Sequence, residues 1–247
     1  MVSNAEQVSH IATMTWVEFE RNCQKIPIIV IPSGAIEVYG PHLPLGSDSI
    51  VADAISTLVA NELGALRTPL IPVGYSADLM EFPGTLSVNP EAFKGYLEGI
   101  CRSLIKWRLH KFLFINTHLG NVALIDQVVD ELSQEHDLLC MQIDWWRFAA
   151  RLGSDLFESE WAAGHAGELG TSVLQYLAEE TVNHQARQDF IPPNDPWPSG
   201  ITRYISYRQI TPSGVLGVST AGNREKGKVI VQRCVDAIVK EAKAFFD

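Results

Sequence analysis

The chain has 247 residues, enough for one large α/β domain or two small ones, and 46% of them are hydrophobic, which supplies a full core and disfavours disorder. A formal net charge of −10 and a pI near 5.1 argue against nucleic acid or an anionic membrane as the main partner. Cys23, Cys101, Cys140 and Cys234 form no C-x-x-C pair and read as buried reduced thiols. Met1 to His10 is polar with no signal-peptide core, and no run reaches the ~18 apolar residues of a membrane span, so the expectation is a soluble, cytoplasmic protein.

In chain order, Thr15 is placed to cap a short helix, Trp16 to Asn22, with Glu18 completing a capping box. The β-branched run Ile26 to Ile31 predicts a buried strand over Ile28 to Ile31. A long loop follows, Ser33 to Asp48, reading S-G-A-I-E-V-Y-G-P-H-L-P-L-G-S-D. Loops of that length inside a compact domain are usually functional, and its two prolines stiffen it. Ser47 or Asp48 opens a helix through Asn61, with Ile50, Ala54, Leu58 and Leu63 expected on its apolar face and Gly64 ending it. A second strand is predicted near Leu70 to Val73, then a second long loop, Gly74 to Val88. Asn89-Pro90-Glu91 starts a helix expected to reach about Leu109.

Phe112 to Ile115 reads as a strand leading into Asn116-Thr117-His118-Leu119-Gly120-Asn121. An amphipathic helix, Val122 to Glu135, and a strand, Leu138 to Ile143, come next, and Asp144-Trp145-Trp146 begins the following connection. A helix is predicted from Glu168 to Glu180. Residues 184–213 hold five prolines and read as irregular, with a strand near Ile201 to Tyr207; Gly214 to Gly217 is a turn. The closing helix, Asn223 to Phe246, offers Val229, Val231, Cys234, Ile238 and Phe245 to the core. The alternation of strands and helices predicts one α/β domain over 1–247, a layered fold with a mainly parallel sheet flanked by helices on both faces. Right-handed crossovers place the loops after the first and third long strands on one sheet edge, which brings His118 towards Glu37 and Asp48.

The first loop resembles the creatininase (creatinine amidohydrolase) family, whose motif is E-x-H-G-P-H-L-P-L-x-[ST]-D. The chain matches it everywhere except at Tyr39, where the family has histidine. Ser76, Phe82, Pro83, Gly84, Thr85 and Ser87 match the family's S-x-E-H-x-x-F-P-G-T-x-S, with Asp78 and Leu79 in place of its glutamate and histidine. Asn116, His118, Gly120 and Asn121 match N-x-H-x-G-N. His165, Gly167, Glu168, Thr171 and Ser172 match H-A-G-E-x-E-T-S, with Gly170 in place of the second glutamate. The resemblance covers nearly the whole chain.

By residue type, Glu37, Asp48 and His118 suit Zn²⁺ or Mn²⁺, and a carboxylate such as Asp48 can bridge two ions. The bland reading of Asp48 is a helix cap. The resemblance implies that Glu37, Asp48 and His118 hold one ion, and that a histidine at position 39 and, in creatininase itself, a glutamate at position 120 belong to a second. Tyr39 and Gly120 therefore predict one ion with a weakened second site. His42 is expected to be structural; His10, His110, His136 and His184 match no motif. The resemblance assigns His165 to proton transfer near the substrate. Glu168 is either a metal ligand or the group that activates water, and its bland reading is a helix first-turn carboxylate. The implied activity is metal-dependent hydrolysis of a non-peptide C–N bond in a small cyclic or formyl amide, by a homo-oligomer, and family members are often hexamers. The competing reading is a degenerate member that binds a small ligand or partner without turnover, motivated by Tyr39, Leu79 and Gly170.

Overall fold

A computed structural model describes residues 10–196, 200–201 and 203–247. Four parallel strands form the sheet: β1 (Ile28–Ser33), β2 (Leu66–Arg67), β3 (Lys111–Asn116) and β4 (Leu139–Asp144), in the order β2-β1-β3-β4. The helices are α1 (Trp16–Cys23), α2 (Ser47–Leu63), α3 (Pro90–Lys106), α4 (Val122–Glu135), α5 (Trp145–Leu152), α6 (Glu168–Leu177), α7 (Tyr207–Ile210) and α8 (Arg224–Phe246). A strand covered on both faces must be apolar at every position, and β1 and β3 are buried along nearly their whole length. Successive side chains divide between two cores. Val30, Leu113 and Ile115 pack with α2, α5, α6 and α8, while Ile29, Ile31, Phe112 and Phe114 pack with α3 and α4. The α/β layering with a parallel sheet is as predicted.

Local signals hold at several ends. Thr15 and Glu18 form the capping box of α1. Asn89 caps α3, with its side chain accepting from the Ala92 amide at 2.8 Å, and Pro90 takes the first helical position. Asn223 caps α8 in the same way. No helix among the described residues is long and apolar enough to cross a membrane.

Other expectations are corrected. The buried face of α2 is Val51, Ala52, Ile55, Val59 and Ala60, and Leu58 is exposed. This helix is apolar on most sides, so periodicity could not select its inner face; packing of its small residues against α6 and α8 did. The strand predicted at Leu70 to Val73 lies earlier, at Leu66–Arg67, and Ile71 makes only an isolated bridge to Ser33. Pro69 and Pro72 flank that bridge and have no N–H for a ladder. The helix from Glu168 ends at Leu177, short of Glu180. No strand forms among the described residues of 201–207, where α7 begins instead; Thr202 lies outside them. In α8, Ile230 and Phe246 are buried, whereas Val229 and Phe245 are exposed.

The register places Ser33, Asn116 and Asp144 side by side at the C-terminal ends of β1, β3 and β4. Three loops leave the sheet at that edge, as ligand sites in open parallel sheets require.

Candidate metal centre

Each element at this edge delivers one group. The loop after β1 brings Glu37, the first turn of α2 brings Asp48, and the residues after β3 bring His118. All three are buried, and one ligand-capable atom from each lies within 4.8 Å of the others. His118 Nδ1 is 3.0 Å from Glu37 Oε2 and 3.3 Å from Asp48 Oδ2. Asp48 does not cap its helix, because α2 starts at Ser47 with Gly46 ahead of it and no side-chain cap.

The surroundings hold these groups in place. His118 Nε2 lies 2.7 Å from the Tyr75 carbonyl, so that nitrogen carries the hydrogen and donates it. Nδ1 is left as the nitrogen facing two carboxylates. The Ser76 hydroxyl donates to Glu37 Oε2 at 2.7 Å, and Trp146 Nε1–H donates to Asp48 Oδ1 at 2.9 Å. Thr117 Oγ1 donates to the Asp48 carbonyl at 2.7 Å, and the Asn116 amide nitrogen donates to the His118 carbonyl at 2.7 Å.

Three Lewis bases that face one another away from water need a cation between them. The acid–base balance shows this. Burial, with the Glu37 carboxylate beside it, pushes the Asp48 carboxyl up to about 6. Burial works against the Glu37 charge too, yet the His118 imidazolium draws that carboxyl below its ordinary value. Burial opposes the imidazolium, but Glu37 and Asp48 hold His118 well above its ordinary value. A proton on His118 thus stands in for a cation, and a neutral imidazole with two carboxylates is a donor set for a divalent transition metal.

Glu168 lies elsewhere. It is buried, but Oε1 pairs with Lys226 Nζ at 2.6 Å and Oε2 accepts from the Ser159 amide at 3.1 Å. Among the described residues no His, Cys, Asp or Glu joins Glu37, Asp48 and His118 in the ligand group. The first-turn position of Glu168 was legible, but its partner Lys226 is supplied by α8, far along the chain. Replacing Glu168 with Gln is therefore expected to leave the metal content unchanged and to lower stability by about 1.5–3 kcal/mol, nearer the lower figure because Lys226 keeps some water access. Elemental analysis and thermal melts of the variant check both parts; loss of an ion would make Glu168 a ligand.

His165 stands beside the cluster. Its Nε2 is 2.6 Å from the Val38 carbonyl, so Nε2 carries the hydrogen and Nδ1 is left with the lone pair. Its ring packs on Tyr39, centroids 4.3 Å apart, and on Tyr207 at 5.3 Å. Tyr39 is buried. Burial, with Asp48 and Glu37 nearby, raises the Tyr39 phenol well above its ordinary value, so it is a neutral donor. His42 is buried, with Nε2 2.8 Å from the Thr171 hydroxyl, and burial pushes it down to about 4.

Sequence reasoning missed Trp146, Tyr207 and the Tyr75 carbonyl. Trp146 had one signal, its place just beyond β4 at the same sheet edge. A cavity of about 550 Å³ opens beside Val38, lined by Pro41, Leu45, Phe82, Pro83 and Arg208 among others. A larger one, about 870 Å³, lies between α1 and α3, and neither cavity is lined by Glu37, Asp48, His118, His165 or Glu168.

A family profile described as "Creatininase: Creatinine amidohydrolase" matches residues 12–242. The chain belongs to the creatininase family. It is similar to the mycofactocin precursor peptide peptidase of Mycobacterium ulcerans, 31% identical over 86% of this chain and 83% of that one. It is also similar to the creatinine amidohydrolase of Pseudomonas putida, 26% identical over 96% of both. A solved structure titled "Creatininase Mn" superposes with a TM-score of 0.84 at 25% identity, covering 96% of this chain and 98% of the other. The creatininase-family relatives are hydrolases, and this chain is one of that class.

Proposed function

We propose that this creatininase-family protein is a metal-dependent amidohydrolase that holds a divalent ion, Zn²⁺ or Mn²⁺, on Glu37, Asp48 and His118. The observation that carries the reading is the orientation of His118, whose Nε2–H is committed to the Tyr75 carbonyl while Nδ1 meets two buried carboxylates. Such an ion supplies a Lewis acid for an amide carbonyl and brings a water's pKa towards neutrality. The protein's own residues do the remainder. Ser76 and Trp146 fix the two carboxylates by hydrogen bonds, so little reorganisation accompanies the reaction. His165, anchored through Nε2, takes or returns a proton at Nδ1 and so protonates the departing nitrogen. In this reading Glu168 is a positioning residue: its bond to the Ser159 amide ties the segment before His165 to α6.

The reaction proposed is cleavage of a C–N bond in a small cyclic or formyl amide. The creatinine amidohydrolase relative supports a small non-peptide substrate. The peptidase relative makes peptides the contrasting arm of the test. That test is elemental analysis of the purified protein followed by an assay on cyclic amides, formyl amides and short peptides, with and without chelator. Chelator-sensitive hydrolysis of the small amides supports the proposal. An ion retained without turnover of any amide favours ligand binding alone, and protein that retains no ion refutes the metal site.

The same cluster predicts a pH signature. A folded-state His118 value raised above 6.5 gives stability that is full below that pH and is lost as pH rises through the folded value. Asp48, raised from 3.8 to about 6, acts in the same direction: folding favours its protonated form, and the benefit is lost between those values. The chelator-treated protein is therefore expected to melt at lower temperature as pH rises from the Asp48 window upward. Added Zn²⁺ or Mn²⁺ is expected to reverse that trend at high pH, because the ion replaces the proton. Melting curves across pH, with chelator and with metal, give the comparison.

A further inference from the structure

The His165 side chain is held by segments distant from it in sequence. Nε2 sits 2.6 Å from the Val38 carbonyl, and the His165 backbone carbonyl accepts from the Leu216 amide at 2.8 Å. The Tyr39 ring lies 4.3 Å from the imidazole, centre to centre, tilted by 37°. The Tyr207 ring meets it at 5.3 Å and 66°, an edge-on contact. The last torsion of a histidine is broad and two-fold by itself, so its neighbours decide which nitrogen faces Val38. Turning the ring over would exchange the nitrogen that donates and the nitrogen that keeps the lone pair.

Tyr207 opens α7 and is buried with Val38, Leu79, Phe82 and Leu216. A helix of 4 residues has no stability of its own and takes its place from its contacts. Those contacts lie on the Gly74 to Val88 loop. The Ser206 hydroxyl donates to Glu81 Oε2 at 3.1 Å, and an Arg208 N–H donates to the Glu81 carbonyl at 3.0 Å. The Arg208 guanidinium also lies 5.1 Å from the centre of the Phe82 ring. The same loop fixes the other side of His165, because Thr85 Oγ1 accepts from the Val38 amide at 3.1 Å. It fixes the cluster too, through Ser76 and Glu37 at 2.7 Å. One loop therefore sets the carbonyl that receives Nε2–H, the ring that packs on the imidazole, and one carboxylate of the candidate metal centre.

We infer that Tyr207 is a positioning residue, tethered through Glu81 and Phe82, whose ring keeps the His165 imidazole turned with Nε2 to Val38. The consequence for catalysis rests on the reading of His165 as the proton-transfer group. The test is nitrogen-15 NMR of the His165 side chain in Zn²⁺-treated protein, at a pH where the ring is neutral, with the signals assigned by His165→Gln. Hydrolysis of cyclic and formyl amides is measured alongside. The parent is expected to show the hydrogen on Nε2 alone. Tyr207→Leu keeps apolar bulk and removes the ring. It is expected to show both tautomers and to lower kcat by up to about 100-fold with KM little changed, the scale of a misplaced reacting group. A loss of stability alone would not move the tautomer pattern. Tyr207→Phe restores the ring and is expected to restore the parental pattern and rate. Arg208→Met cuts the tether at an exposed position without altering the core, and is expected to shift the His165 signals as Tyr207→Leu does. A parental pattern in Tyr207→Leu, or a Phe variant that matches the Leu variant, would overturn the inference; a parental pattern in Arg208→Met would overturn the tether. Both tautomers with an unchanged kcat would sustain the positioning role and overturn the proton-transfer reading of His165.

Discussion

On the proposed reading that Glu37, Asp48 and His118 hold a divalent ion, Asp48→Asn is expected to abolish metal binding and to reduce hydrolysis by well over ~100-fold, since loss of a group that merely orients a ligand already costs about 10–100-fold. The change is nearly isosteric, and the amide oxygen can still accept from the Trp146 indole, which donates to Oδ1 at 2.9 Å in the parent. It removes one of the two charges that make the cluster a cation site. Its effect on metal-free stability has the opposite sign to its effect on binding. Burial and the Glu37 carboxylate already push Asp48 up to about 6, so a neutral residue relieves a cost at neutral pH. The chelator-treated variant is therefore expected to melt no lower than the chelator-treated parent at pH 7.5. A helix cap would behave differently, losing about 0.5–2 kcal/mol with or without metal. Elemental analysis and paired melts separate the two, and a variant that kept its metal would remove Asp48 from the site.

Gly120→Ala is the second large effect, and it acts through backbone geometry rather than charge. The added methyl would sit 2.1 Å from the Tyr75 carbonyl oxygen, a backbone atom that cannot rotate away, and 2.6 Å from His118 Nε2. The same carbonyl accepts the His118 hydrogen that sets the tautomer. Relief of the clash by a shift of Tyr75 or His118 is expected to disturb the Nε2–H contact that turns Nδ1 to the carboxylates. We expect a stability loss of about 1–3 kcal/mol, typical of overpacking, together with loss of metal binding. A variant of parental stability and metal content would show that the loop gives way without disturbing His118. Ala at Gly99, an exposed-side glycine of α3 with no atom within 4 Å of a built Cβ, is the matched control and is expected to retain both.

Much of the fold and part of the candidate site were legible in the sequence. The runs at Ile28 and Phe112 are apolar throughout because strands buried on both faces have no polar side to show, and two such runs separated by helical segments imply a parallel sheet. Parallel pairing in turn puts every strand's C-terminal end at one edge, so Glu37, Asp48 and His118 could be expected to meet before any distance was known. Capping at Thr15, Asn89 and Asn223 was readable because it depends on residues within one turn. What failed was decided by partners distant along the chain. The inner face of α2 depended on where α6 and α8 lie, since the helix itself is apolar on most sides. The pairing of Glu168 with Lys226, 58 residues onward, likewise could not be read from local sequence. Tyr39 breaks the motif as a single letter. Only the tertiary structure shows that its ring lies against His165 and in front of Gly170, and that Trp146 gives a hydrogen bond to Asp48. Local patterns in the sequence determined which groups reach the sheet edge, because periodicity and capping are short-range. The protonation and reach of those groups were left to packing, because burial and charge neighbours come from every part of the chain at once.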